Sequence, residues 1–149
     1  CGALTEKLAV RDIVLASGAC TDSSMNRVRF EGLDYAPVAD FGLLRAAYDI
    51  ARGLDLPHDV HVGLIFSSDS FYSPRPDLVS RMADYGVLAV EMEAAVLYTL
   101  GALHKIETLC MATISDLIAS ESEAERISDA ELKQGVDKMM EVACQVAIG

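Results

Sequence analysis

The sequence lacks the features that direct a chain to a membrane, to nucleic acid or to an oxidising compartment. No apolar run approaches the roughly 18–20 residues that span a bilayer, and no basic stretch followed by an apolar one stands at the start. Lys and Arg number 12 against 23 Asp and Glu, and the formal charge of -11 repels nucleic-acid phosphates and anionic headgroups. The four cysteines are far apart and include no Cys-x-x-Cys pair, as is typical of free thiols. We therefore expect a cytoplasmic protein that binds neither nucleic acid nor membranes.

Several sequence signatures of catalysis are also missing. The chain has no Walker-type glycine-rich loop, no Gly-x-Gly-x-x-Gly and no Gly-x-Ser-x-Gly elbow, which counts against kinases, dinucleotide-dependent enzymes and serine hydrolases. The three histidines, His58, His61 and His104, show no ligand spacing with a nearby carboxylate or thiol. We therefore expect no bound metal.

What is present indicates one α/β domain. The 149 residues are 52% hydrophobic, enough for a sizeable core. Apolar patterns predict strands over 10–16, 60–66, 87–91 and 106–114, helices over 43–54, 77–84 and 92–103, and a loop over 18–26. A last helix carries its apolar face over 132–146, after the capping box Ser128-x-x-Glu131. Strands that alternate with helices favour a mainly parallel sheet covered on both faces, with ligands gathering beyond the carboxyl ends of the strands. The polar residues that close each strand are therefore the candidate site residues.

The segment Val90-Glu91-Met92-Glu93 is the most informative of these strand ends, because two acids flank a methionine where an apolar strand becomes a helix. Carboxylates accept hydrogen bonds from adjacent hydroxyls such as those of a sugar, and a thioether packs against the apolar side of the ring. Acids also favour a helix N-terminus for purely structural reasons. Local sequence leaves both interpretations open.

Three further residues are candidates, each with a simpler alternative. Asp116 ends an apolar strand, where it is either a general acid in a cleft or an ordinary turn aspartate. Arg126 lies among acids in the segment 120–129, a plausible lid. It either forms a surface ion pair or moves with the lid toward a site carboxylate. Phe71 follows a strand and a polar loop, and its ring either faces a flat heterocycle or packs in the core.

Separated motifs together resemble one family, the bacterial, hexamer-forming (DeoD-type) purine nucleoside phosphorylases. These motifs are Cys1-Gly2-Ala3, Gly18-Ala19-Cys20-Thr21-Asp22-Ser23, Asn26-Arg27-Val28-Arg29-Phe30, Ala39-Asp40-Phe41, Asp69-Ser70-Phe71-Tyr72-Ser73, Val90-Glu91-Met92-Glu93-Ala94-Ala95 and Ser115-Asp116. The Val-Glu-Met-Glu-Ala-Ala stretch alone is shared with nucleosidases and specifies only the superfamily. The resemblance covers nearly the whole chain and implies a three-layer α/β fold whose mixed, mainly parallel central sheet is flanked by helices.

The resemblance also implies a reaction and a set of site residues. In this family phosphate attacks the anomeric carbon of a purine nucleoside and releases the base and a pentose 1-phosphate, a step in purine salvage that needs no cofactor. Asp116 would protonate the departing purine, and Arg126 would assist it. Glu93 with Glu91 would hold the ribose hydroxyls, and Met92 would pack on the sugar. The residues implied around the base are Phe71, Val90, Cys1, Gly2 and Ser115.

One part of the family pattern has no counterpart here. The family's phosphate-binding loop, its arginines and the serine before the Cys-Gly pair come from upstream or from a neighbouring subunit of the homo-oligomer, a trimer of dimers. We therefore expect residues 1–149 to be the C-terminal portion of a longer phosphorylase domain. Two alternatives remain open: an N-ribosyl hydrolase of the same superfamily, and a non-catalytic purine-binding or assembly module.

Overall fold

Six strands and five helices follow one another in the residues that the computed structural model describes, which are 1–72, 75–118 and 128–148. In chain order they are β1 (Gly2–Ala3), β2 (Ile13–Thr21), α1 (Met25–Arg29), α2 (Phe41–Gly53), β3 (Val60–Ser67), α3 (Pro76–Asp84), β4 (Val87–Glu91), α4 (Ala94–His104), β5 (Cys110–Thr113), β6 (Asp116–Leu117) and α5 (Asp129–Ile148). None of the helices in these ranges is long and apolar enough to cross a membrane.

The strands form one mixed sheet in the order β5-β2-β3-β4-β1-β6. The pairs β2–β3, β3–β4 and β1–β6 are parallel, whereas β1–β4 and β2–β5 are antiparallel. β5 and β6 lie at opposite edges of the sheet although only Ile114 and Ser115 separate them in the chain. The sheet therefore curls until its edges approach each other. This arrangement confirms the predicted α/β class.

The hydrophobic core lies on both faces of the sheet. Along β2, Ile13 and Leu15 pack with α2 and α5, whereas the alternate residue Val14 packs on the opposite face. The α4 residue Tyr98 is buried on that second face, where its hydroxyl donates to the Ala16 carbonyl oxygen at 2.6 Å. The two-residue period of a strand thus builds a layer of helices on either side.

The strand predicted over 10–16 is longer than expected. β2 continues to Thr21, and its pairing with β3 changes register between Ala16 and Gly18. A Cβ at Gly18 would lie only 3.1 Å from the Pro37 carbonyl oxygen, so glycine here allows a neighbouring segment to approach closely. The prediction of a loop beginning at Gly18 was wrong, because glycine in this position marks a bulge rather than an end.

The strand predicted over 106–114 is shorter than expected and contains only Cys110–Thr113. Its first residues instead complete the end of α4. Lys105 adopts a left-handed conformation with φ 56°, and the Ile106 amide donates to the Gly101 carbonyl oxygen at 2.9 Å. This turn ends helix α4. Its apolar residue, Ile106, was included in the predicted strand because the sequence pattern of such a turn resembles the start of a strand.

Candidate functional site

The candidate site lies where the carboxyl ends of β3 and β4 meet the first residues of β1 and β6. Gly2 is paired with Val90 on one side and with Asp116 on the other, and Ser67 is paired with Glu91. A cavity of about 510 Å³ opens above these pairs. A site at the ends of β3 and β4 fits the expectation for an open α/β sheet.

All of the predicted site residues within the described ranges line this cavity. They are Cys1, Gly2, Phe71, Val90, Glu91, Met92, Glu93, Ser115 and Asp116. The cavity is also lined by Ser68, Ser70 and Ile118, which the sequence analysis did not select. The predicted Arg126 lies outside the described residues. The chemical roles of all these side chains stay predictions.

Position 2 is a glycine because the backbone of β1 lies close to side chains of the strands on both sides. A Cβ there would clash with Ile118, whose Cγ1 would be 2.9 Å away, and would lie 3.4 Å from Cγ1 of Val90. Glycine therefore lets β1 pair on both sides and keeps the floor of the cavity formed by main chain and apolar side chains.

Glu91 caps the first turn of α4. Its Oε2 accepts the amides of Glu93 at 2.6 Å and Ala94 at 2.7 Å, and its Oε1 accepts the Ser67 hydroxyl. The Ser67 hydroxyl oxygen in turn accepts the Ala95 amide at 2.9 Å. Glu91 and Ser67 together satisfy three amides that a helix leaves without partners at its start. The sequence signal for this cap is a serine at the carboxyl end of an apolar strand, at the same end of the sheet as Glu91.

Glu93 has a different environment. Its side chain is exposed, and within the described part of the chain its carboxylate accepts only the Met92 amide, at 3.3 Å, which is long for a hydrogen bond. Met92 is also exposed, beside it at the cavity wall. The helix interpretation and the ligand interpretation of this junction therefore apply to different acids. Glu91 serves the helix N-terminus, whereas the Glu93 carboxylate can accept hydrogen bonds from a ligand.

Asp116 lies beside a serine hydroxyl at the opposite side of the cavity. The Ser115 hydroxyl is 2.6 Å from Oδ2 of Asp116 and 3.1 Å from the Cys1 carbonyl oxygen, and its single proton serves one of them at a time. The Asp116 side chain is half-buried at the start of β6. A half-buried carboxyl at a cavity wall, oriented by a hydroxyl, is suited to exchanging a proton with a ligand.

Burial sets the ionisation of one cysteine next to the cavity. It raises the pKa of the Cys110 thiol to about 12, and the negative charges of Glu91 and Glu93 act in the same direction. Cys110 lines a second cavity of about 350 Å³, which shares Cys1, Glu91 and Glu93 with the first. The thiol therefore stays protonated and is not a nucleophile at neutral pH.

Phe71 is 78% exposed at the mouth of the cavity, so it is not a core residue. Its ring contacts Tyr72 edge to face, with ring centroids 5.0 Å apart. An exposed ring beside a cavity can pack on a flat heterocycle. Among the residues with described positions, no three His, Cys, Asp or Glu side chains are grouped as a metal ion requires.

The fold agrees with comparisons to known proteins. Residues 1–148 match the model of the phosphorylase superfamily, and the chain belongs to that superfamily. Its relatives include the DeoD-type purine nucleoside phosphorylases of Clostridium novyi (strain NT), 46% identical over 147 residues, and of Bacillus cereus (strain ZK / E33L), 43% identical over 148 residues. That of Jannaschia sp. (strain CCS1) is 46% identical over 147 residues. Each match covers 99% of this chain and 61% of the relative, so the chain spans about three fifths of their length.

Proposed function

We propose that this chain provides the nucleoside-binding and proton-donating part of a purine nucleoside phosphorylase, a transferase of pentosyl groups. One observation carries the proposal: a single cavity is lined by an exposed ring, Phe71, by an acid that no helix cap uses, Glu93, and by a serine-oriented acid, Asp116. A purine nucleoside has three matching parts, which are a flat base, a sugar diol and a leaving nitrogen. The names of the relatives support the same substrate class.

In the proposed reaction a phosphate oxygen attacks the anomeric carbon as the bond to the purine breaks. The electron pair of that bond passes to the purine, and Asp116 delivers a proton to its imidazole nitrogen. A protonated purine leaves more easily than an anion, so this transfer lowers the barrier for an oxocarbenium-like transition state. Ser115 orients the acid through its 2.6 Å contact. In this proposal Arg126 assists from the segment that leads into α5.

Recognition of the sugar is assigned to Glu93 and Met92. The Glu93 carboxylate would accept hydrogen bonds from the ribose hydroxyls, and the Met92 thioether would lie against the ring. Glu91 holds the first turn of α4 and so fixes where Glu93 lies, which makes it a positioning residue in this proposal. Phe71 and Val90 would enclose the base, with Cys1 and Gly2 beside them.

Inorganic phosphate is the proposed co-substrate, with no metal or organic cofactor. The proposed working form is a homo-oligomer, a trimer of dimers, whose neighbouring subunits complete the sites. The co-substrate rests on the resemblance and on the names of the relatives, whereas the lack of a cofactor and the assembly rest on the resemblance alone. Light scattering coupled to gel filtration measures the assembly, and a monomer with full activity would contradict it.

The proposal is tested with the longer protein that contains this chain, by release of free base from inosine and adenosine with and without phosphate. We expect release that requires phosphate, and a loss of about 100-fold or more in Asp116→Asn, which keeps the shape of the side chain but supplies no proton. Asp34→Asn is the matched control, because Asp34 pairs with Arg27 on the surface at 2.8 Å, away from the cavity.

Three outcomes would contradict the proposal. Release that is independent of phosphate would indicate the hydrolase alternative. Binding of nucleoside with no release would indicate a non-catalytic module. An unchanged rate in Asp116→Asn would remove Asp116 from the chemistry.

A further inference from the structure

One carboxylate, that of Asp22, holds both ends of the loop that follows β3. Asp22 comes directly after the last residue of β2, and its side chain is only 12% exposed. Its Oδ1 accepts the main-chain amide of Asp69 at 2.9 Å, at the start of the loop. Its Oδ2 accepts Nη2 of Arg75 at 2.5 Å, at the end of the loop, where α3 begins. The Gly-Ala-Cys-Thr-Asp-Ser motif thereby gains a structural purpose that its sequence did not reveal.

The first part of the loop is anchored to the site. The Ser68 amide donates to the Glu91 carbonyl oxygen at 2.9 Å, and the buried Ser68 hydroxyl lies 3.0 Å from the Ser70 carbonyl oxygen. The Ser70 hydroxyl continues this chain of hydrogen bonds to the Tyr72 carbonyl oxygen at 3.1 Å. Main-chain and short side-chain contacts of this kind set the direction of the loop backbone.

Among the described residues, the two side chains at the tip have no such support. Phe71 is 78% exposed and Tyr72 is 88% exposed, and their rings contact each other. Because burial does not fix these rings, the position of Phe71 at the cavity depends on the backbone that carries it. That backbone is held at its two ends by Asp22.

The strength of this clamp comes from charge. Asp22 is shielded from water on most of its surface, whereas Arg75 is half exposed, so the pair is stronger than a surface ion pair but is not fully desolvated. In Asp22→Asn one carboxylate oxygen becomes an NH₂ group. That donor either meets the Asp69 amide or meets the Arg75 guanidinium, so one end of the loop is released whichever way the amide turns.

We propose that Asp22 is a positioning residue for the base side of the site, where it fixes the loop that presents Phe71 to the purine ring. This inference rests on the proposed function, because it names the base as the part of the ligand that the clamp serves. Glu93 and Met92 lie between β4 and α4 rather than on the loop, so release of the loop leaves sugar recognition in place. The effect of Asp22 is therefore selective for the base.

The test combines ligand affinity with a direct signal from the loop. The protein is produced with 4-fluorophenylalanine, and the ¹⁹F resonance of Phe71 is distinguished from those of the other three phenylalanines in residues 1–149 with Phe71→Leu. Hypoxanthine and inosine are titrated calorimetrically into the wild type, Asp22→Asn and Arg75→Gln. Asp34→Asn is the matched control, because it breaks an arginine–aspartate pair of 2.8 Å that does not hold the loop.

We expect Asp22→Asn and Arg75→Gln to move the Phe71 resonance toward that of the free amino acid and to leave the other three unchanged. The affinities for hypoxanthine and inosine should both fall about tenfold, so that their ratio stays constant. A general loss of structure would move all four resonances. If Asp22→Asn does this, Arg75→Gln decides, because its half-exposed side chain can be replaced without disturbing the core.

The clamp and the proposed function fail in different ways. An unchanged Phe71 resonance in both variants, or an equal effect in Asp34→Asn, would overturn the clamp. If the wild type binds neither hypoxanthine nor inosine, the proposed function fails, and the ¹⁹F resonances alone then decide whether Asp22 fixes the loop. A larger loss for inosine than for hypoxanthine would overturn the assignment to the base side.

Discussion

Residues of one chemical type take different roles in this protein according to the groups that surround them. Glu91 and Glu93 are two positions apart, yet one is used by three hydrogen bonds and the other faces solvent at the cavity. The sequence predicts both acids at the junction of β4 and α4. It does not reveal which of the two carboxylates accepts hydrogen bonds from the start of the helix, because that depends on Ser67 from a neighbouring strand.

Cys110 gives a residue-scale prediction about pH. Burial raises the pKa of its thiol to about 12 in the folded chain, whereas a thiol in the unfolded chain ionises near 9. As the pH rises above 9, the unfolded chain loses a proton that the folded chain keeps. Stability therefore falls with increasing pH, approaching ~1.4 kcal/mol per pH unit for one such thiol.

Urea unfolding at pH 8, 9 and 10 measures this slope. Cys110→Ala should remove most of the loss between pH 9 and 10. Cys144→Ala is the control, since that thiol is exposed at the surface in α5. Equal slopes for the wild type and Cys110→Ala would contradict the burial of this thiol.

At the scale of whole elements, sequence patterns are sufficient to predict where two helices begin but not how far β2 extends. Helix α2 begins after Asp40, whose Oδ1 accepts the Leu43 amide at 2.9 Å, and α5 begins with the predicted reciprocal bonds between Ser128 and Glu131. Both starts were predictable because a cap is a local contact. The continuation of β2 past Gly18 was not predictable, because the reason is a distant segment at Pro37 that approaches the strand.

The cap of α4 provides an element-scale prediction. Glu91→Ala should destabilise the protein by about 1–2 kcal/mol, because the amides of Glu93 and Ala94 and the Ser67 hydroxyl lose their acceptor. Glu93→Ala, two residues along, should change stability by less than about 0.5 kcal/mol, since its side chain is exposed. Urea midpoints at neutral pH compare the two variants, and equal destabilisation would rule out the cap.

At the scale of the whole molecule the site is assembled from segments that are far apart in the sequence. The cavity takes residues from 1–2, 68–71, 90–93 and 115–118, and the curl of the sheet brings them together. Residue patterns at the strand ends could nominate five of these residues, Glu91, Met92, Glu93, Asp116 and Phe71, whereas the family resemblance nominated Cys1, Gly2, Val90 and Ser115. Ser68 and Ser70 were missed because a serine-rich turn carries no individual signal, and Ile118 because it is an apolar residue among many.

The central claim is that this cavity binds a purine nucleoside through Glu93 on the sugar and a separate surface for the base. The most direct measurement is calorimetric titration of inosine and hypoxanthine into the wild type, Glu93→Gln and the exposed-acid control Glu107→Gln. The account predicts that Glu93→Gln weakens inosine binding about tenfold or more and leaves hypoxanthine binding unchanged, while Glu107→Gln alters neither. No binding of inosine to the wild type, or equal inosine affinity in Glu93→Gln, would contradict it.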